Sequence, residues 1–337
     1  MNSTIWEGKN GPLLIAEIGG NHEGNFEYAK KLTKLAIDSG ADYVKFQIYS
    51  GDGLVNPIES PDRNKHFKKF ELSEDQHKEL AKMCRDNKVG YLASVWETGA
   101  LDWIDQYMDF YKIGSGDLTA YPVIKSICAL KKPILLSTGL ATEAEVLEAV
   151  NYIRSLDSFY QTTGSIAILQ CTAMYPIPYG DANLNVMEKL RVVSNCTIGY
   201  SDHTEGSFAL EVAVAMGARI LEFHFTDDRD GKEFRDHKVS LTKHEVEGLI
   251  KKINEIENLQ GNDVKVPLEV EGDHVVSFRR AVYPAKEIPA NTKVKEEDFT
   301  ILRPDHGISA NKFDLLLGKT TTKTLKKFEK LDWKYFE

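Results

Sequence analysis

The chain has 337 residues and a formal charge of −9, which allows a large core or two domains and argues against a general nucleic-acid surface. Its four cysteines form no CxxC pair, no leader-like segment opens it, and no apolar run reaches membrane length. The expectation is a cytoplasmic protein with reduced thiols and neither a membrane nor a nucleic-acid partner.

From residue 13 onward, strand-like and helix-like segments alternate. "LLIAEI" reads as a strand and "FEYAKKLTKLAIDSG" as a helix stopped by Gly40. "DYVKFQI" is strand-like, and "SEDQHKELAKMCRDN" is helical with a serine cap and an acidic first turn. "GYLASV" precedes a helix in "GALDWIDQY", and "DFYKIG" precedes one in "AYPVIKSICAL". "PILLST" leads to "TEAEVLEAVNYIRSL", where Thr142 and Glu145 form a capping box. The last three units are "IAILQC" with "LNVMEKLRVV", "TIGYS" with "GSFALEVAVAMG", and "RILEFHF" with "TKHEVEGLIKKINEIENL".

Near-continuous apolar strands are those of a buried parallel sheet. Eight such units in about 250 residues predict a (β/α)8 TIM barrel. The polar residues favour this over a doubly wound open sheet. Glu17, Lys45, Gln47, Ser94, Lys112, Ser115, Ser137, Thr138, Gln170, Thr172, Ser201, His203 and His224 all fall where a strand gives way to a loop. A closed barrel brings eight such ends to one mouth. The polar stretch Tyr49 to Lys69, with Pro57 and Pro61, reads as a loop: a lid, a dimer contact or a solvated insertion. The texture changes after residue 261. We expect a barrel over 1–260, a linker over 261–275, and a small, mainly β domain over 276–337.

His203 and His224 end two successive strands, so both rings can reach one divalent ion. Hydrogen-bonded structural histidines are the alternative. Asp236, on the loop after the eighth strand, strengthens the metal reading. Lys45 and Lys112 interrupt apolar strands, where an ammonium is costly unless paired. Glu17 can pair one of them; two suggest an anion. "KIGSGD" and "LSTG" add hydroxyls and backbone N–H groups suited to phosphate or carboxylate. Together they suggest a small, doubly charged anion. Glu17 is either an acid or base or the partner of Lys45. Cys171 reads as core.

The motifs "IAEIGGNHEG", "ADYVKFQ", "YKIGSGD", "LLSTG", "LQCTAMYPIPYGDANLN", "IGYSDHT" and "ILEFHFT" occur in that order. They resemble the sialic acid synthase family, which makes N-acetylneuraminic, legionaminic or pseudaminic acid. The tail, "RRAVYPAKEIPANTKVKEEDFTILRPDHGIS", resembles that family's antifreeze-like SAF domain. The resemblance implies a TIM barrel plus SAF domain working as a domain-swapped homodimer. It implies condensation of phosphoenolpyruvate with an N-acylated hexosamine and water, giving a nine-carbon 2-keto acid and phosphate. It also implies a divalent metal, Mn2+ or Mg2+, on His203 and His224. Lys45, Ser94, Lys112, Ser115, Ser137 and Ser201 would hold phosphoenolpyruvate. Glu17, Asp117 and Asp236 would be catalytic and contact the sugar, and Arg303 would reach it from the partner subunit.

The chain departs from the family pattern mostly on the sugar side. Asp117 stands where glutamate is usual, Trp96 lies in "ASVWE", and Arg235 lies in "KEFRDHK". A 6-deoxy diacetamido sugar is therefore a candidate beside N-acetylmannosamine. The other readings open at this point are a metal-dependent pyruvate aldolase and a non-catalytic sugar-binding protein.

Overall fold

A computed structural model describes residues 3–337. The chain divides into two compact units, Met1–Gly261 and Asn262–Glu337.

The first unit is a closed parallel barrel. Its strands are β1 (Gly11–Glu17), β2 (Tyr43–Ile48), β3 (Gly90–Val95), β4 (Tyr111–Ile113), β5 (Ile134–Ser137), β6 (Ile166–Cys171), β7 (Thr197–Asp202) and β8 (Ile220–His224). Each pairs in parallel with the next, and β8 pairs back onto β1 to close the ring. A short strand, Glu7–Gly8, runs antiparallel to the start of β1. Asp42 ties it down, accepting from the Lys9 and Leu14 amides at 3.0 and 2.9 Å. The strands are apolar almost throughout because both faces are covered: Leu14, Ile15, Val44, Phe46, Leu92, Leu135, Ile168 and Leu221 are fully buried. Each such side chain contributes about 1.5–3 kcal/mol on leaving water.

The helices start where their sequences place caps. Asn25 accepts from the Tyr28 amide at the start of Phe26–Asp38. Ser73 with Gln76 and Thr142 with Glu145 form reciprocal capping boxes ahead of Glu74–Asp86 and Glu143–Leu156. Two expectations are corrected. "GALDWIDQY" is α-helical only over Leu101–Ile104, with 3-10 turns on either side. The stretch Tyr49 to Lys69 is not a loop: it holds the short helix Gly51–Leu54 and the helix Pro61–Phe70. Asn64 stitches them together, donating to the carbonyls of Gly51 and Val55 at 2.9 and 2.8 Å.

In the second unit, β9 (Ala281–Pro284) and β10 (Phe299–Leu302) pair antiparallel. Val282, Ile288, Val294, Leu316, Leu325 and Leu331 form its core. Residues 262–272 are exposed throughout. Among the described residues, no helix is long and apolar enough to cross a membrane.

Candidate active site

Strand register builds the site. Glu17 lies beside Lys45 on one side and His224 on the other, Ser94 beside Lys112, and Ser201 between Cys171 and Glu222. Side chains two apart on a strand share a face, so Glu222 and His224 enter the barrel together. The result is one buried ionic layer. Lys45 Nζ is 2.7 Å from Glu17 Oε2 and 3.8 Å from Glu222 Oε2. Lys112 Nζ is 3.3 Å from Glu222 Oε1, which also accepts from Ser201 Oγ at 3.1 Å. Gln47 donates to the other Glu17 oxygen at 2.9 Å.

Two ammonium groups and two carboxylates balance, but not evenly. Burial alone would raise the Glu222 carboxyl; Lys112 and Lys45 overcome it and hold it at about 2. Burial wins at Glu17, whose carboxyl is pushed above its ordinary range despite Lys45. Lys45 gains more from Glu17 and Glu222 than burial takes, so its ammonium is held firmly. Lys112 is pushed down, first by burial, and Lys45 beside it adds repulsion that Glu222 does not make good. Burial and pairing oppose one another at every group of the layer, and Lys112, paired with Glu222 but crowded by Lys45, is the ammonium its surroundings support least.

Above this layer sit the imidazoles, their ring centroids 5.4 Å apart. His203 Nδ1 lies 2.7 Å from the Thr172 carbonyl. A carbonyl only accepts, so this nitrogen carries the proton and Nε2 keeps a lone pair. His224 Nδ1 is buried without a hydrogen-bond partner, 4.0 Å from Asp236 Oδ2. Burial pushes both rings down to about 3, so each is a neutral donor. This set fits a divalent ion held by two imidazoles. Among the described residues no group of three or more His, Cys, Asp or Glu side chains is placed to hold a metal ion, so the fit rests on the two imidazoles alone.

The other expected residues surround this centre. The buried Ser137 hydroxyl has no partner. Ser115 Oγ accepts from the Gly139 amide at 3.0 Å, tying the loops after β4 and β5 together. Ser94 is buried in the layer. Asp117 is half-buried, its carboxyl raised by burial, with the Trp96 indole beside it. Asp236 is buried and accepts from Arg235 Nε at 2.9 Å. Cys171 was expected in the core, but its side chain lies among the site's own groups, with Sγ 3.8 Å from His203 Nδ1 and the thiol raised by burial. Arg303 belongs to the second unit, where it is exposed and lies over the Phe278 ring at 5.5 Å.

Two residues were missed. Glu222 answers both lysines, and its signal was its spacing of two from His224. Tyr175, on the loop after β6, lies 4.0 Å from the His203 ring and carries the Arg235 guanidinium 4.4 Å above its own. The helix Pro61–Phe70 folds onto the same rim: Phe67 meets Tyr49 at 5.2 Å, and Phe70 meets Phe234 at 5.0 Å.

Residues 32–265 match the model of the NeuB family, and residues 279–334 match that of the SAF domain. The chain belongs to the NeuB family. Like this NeuB chain, the N,N'-diacetyllegionaminic acid synthase of Campylobacter jejuni spans both parts: the two are 33% identical over 94% of this chain and 98% of that one. The Legionella pneumophila enzyme of the same name is 30% identical over 96% and 94%. A crystal structure of the N-acetylneuraminic acid synthetase of Leptospira borgpetersenii superposes with a TM-score of 0.72 at 26% identity, covering 79% of this chain and 91% of that one. The NeuB barrel with an SAF domain is the fold expected from the motifs.

Proposed function

We propose that this chain condenses phosphoenolpyruvate with an open-chain N-acylated hexosamine and water, giving a nine-carbon 2-keto acid and phosphate. The observation that carries this is the meeting, in one mouth, of the buried Lys45 and Lys112 ammonium groups and an unpartnered Ser137 hydroxyl with two imidazoles 5.4 Å apart. The former call for an anion and the imidazoles for a divalent ion. The names of the relatives, synthases of legionaminic, pseudaminic and N-acetylneuraminic acids, agree with the reaction class.

NeuB-family synthases are generally metal-dependent. His203 and His224 would hold the ion, manganese or magnesium, which when bound supplies Lewis-acid polarisation of a carbonyl. Lys112 and Lys45 hold the phosphate and carboxylate of phosphoenolpyruvate, with Ser94, Ser115, Ser137 and Ser201 offering hydroxyls. The unpartnered Ser137 hydroxyl gains a hydrogen bond when that anion arrives. Carbon 3 of phosphoenolpyruvate adds to the sugar aldehyde, water adds to carbon 2, and the tetrahedral product loses phosphate. Glu17 takes a proton from that water. Its raised carboxyl is the acid–base group of the layer.

Asp117 and Asp236 orient the sugar. Trp96, Tyr49 and Phe67 form an aromatic rim beside Asp117. That rim favours a 6-deoxy diacetamido hexosamine, with its methyl and acetyl groups, over N-acetylmannosamine. We further propose a domain-swapped homodimer in which Arg303 reaches the partner's sugar, and a cytoplasmic site of action, where phosphoenolpyruvate is made. The deciding experiment assays phosphate release from phosphoenolpyruvate across a panel of hexosamines. Release with a diacetamido sugar, abolished by His203→Ala at unchanged thermal midpoint and with loss of bound metal, supports the assignment. No release with any sugar refutes it.

A further inference from the structure

At the end of the barrel opposite the strand tips, the first residues of β1 to β3 and the segment before β4 border a cavity of 490 Å³. Tyr43, Tyr91 and Tyr107 line it. Gly90 is what lets the Tyr43 ring lie there: a Cβ at residue 90 would fall 2.1 Å from that ring.

Three cations and three acids border the cavity, and the acids are engaged by groups other than these cations. Glu7 pairs with Arg219 at 3.1 Å, Asp42 accepts two backbone amides, and Asp109 accepts the Tyr43 hydroxyl at 2.8 Å. Lys9, Arg85 and Lys88 have no carboxylate partner among the described residues. Arg85 is held in place by other means. It donates to the Gln106 carbonyl at 2.8 Å and lies 4.7 Å over the Tyr107 ring, leaving its remaining N–H groups for a ligand. Lys88 follows the helix Glu74–Asp86 in the left-handed region, with φ +59°. Glycine or asparagine normally takes that place, because a Cβ there is strained. Lys88 thus holds its charge at a position that favours glycine, beside two other cations, while the acids of the cavity answer an arginine, two amides and a phenol.

We propose that this cavity is a second anion site, for a phosphate monoester with a flat organic body. The cations take the phosphate, since guanidinium and ammonium groups are the side chains suited to it. The tyrosine rings take the body. A cavity of this size is in the range that holds small cofactors and ligands, about 300–1,000 Å³. The site does not depend on the reaction assigned to the strand tips, and its failure would leave that assignment intact.

The test is calorimetric titration of the full-length chain with adenosine monophosphate, with adenosine as control, at low salt. The monophosphate binds and adenosine does not. Lys88→Gly weakens binding about tenfold, the loss of one charge-assisted contact, yet keeps or raises the thermal midpoint because glycine relieves the positive φ. Arg85→Gln also weakens binding and leaves phosphate release at the strand tips unchanged. In hydrogen exchange, the ligand protects Lys88 to Tyr91. The proposal is overturned by no binding of the monophosphate to the wild-type chain, or by unchanged affinity in both variants.

Discussion

Glu222 is the hinge of the buried layer, and replacing it tests how that layer is held together. Glu222→Gln keeps the shape and one acceptor for Ser201 but removes the charge that answers Lys112 at 3.3 Å and Lys45 at 3.8 Å. A fully buried carboxyl held at about 2 instead of its ordinary 4.5 corresponds to roughly 3 kcal/mol of charge stabilisation. Breaking a buried pair by deleting one partner costs about 3–5 kcal/mol, because the other charge stays buried and unanswered. The single variant should therefore lose about 3 kcal/mol in urea unfolding of the barrel. Glu222→Gln with Lys112→Met removes the stranded ammonium as well, and should recover more than half of that loss. The lone variant should also bind inorganic phosphate more tightly at low salt, since its layer carries an extra positive charge. The reasoning fails if the single variant loses under about 1 kcal/mol, or if the double variant is no more stable than the single.

His77 sets part of the acid limit. It is buried against Tyr91, whose hydroxyl lies 2.9 Å from Nδ1, and burial pushes its imidazole down to about 3. The unfolded chain takes up that proton near 6.5 and the folded chain refuses it. Stability is therefore complete above 6.5 and falls with pH toward 3, by about 1.4 kcal/mol per pH unit for this group. His77→Gln should flatten the slope of unfolding free energy between pH 6 and 4 by that amount; an unaltered slope would contradict the assignment. Two glycines should respond with opposite signs. At Gly199, on the face it shares with Ser201, a Cβ would meet Ile220 O at 2.3 Å and Leu169 Cδ2 at 2.6 Å, so Gly199→Ala should cost about 2–3 kcal/mol or more. At Gly248, inside the helix Lys243–Gln260, nothing lies within 4 Å, so Gly248→Ala should gain about 0.5–1 kcal/mol. Denaturant midpoints read both.

What the sequence disclosed, and what it hid, follows from how far apart the interacting residues lie. The eight strands were readable because a parallel strand covered on both faces is apolar by itself, whatever it pairs with. Lys45, Lys112 and Glu17 stood out as charges inside such runs for the same reason. Their partner did not. Glu222 reaches Lys112 across 110 residues of chain, through a barrel whose closure of β8 onto β1 no local pattern encodes. It was visible as a charge in a strand, but not as the group that answers both lysines. From the sequence, Glu17 can pair one of the two lysines and the other points to a ligand anion. With Glu222 in place, the protein itself balances most of that charge, and the case for an anion narrows to Lys112 and the unpartnered Ser137 hydroxyl. The helix Pro61–Phe70 was hidden for a different reason. Most of "PDRNKHFKKF" is polar and suggests solvent, while the residues that fix it, His66, Phe67 and Phe70, are too few to set a period. Their partners Tyr49 and Phe234 lie before the helix and on the loop after β8. Local propensity can set such a helix going at Pro61, but only the rim of the finished barrel gives it a face to bury.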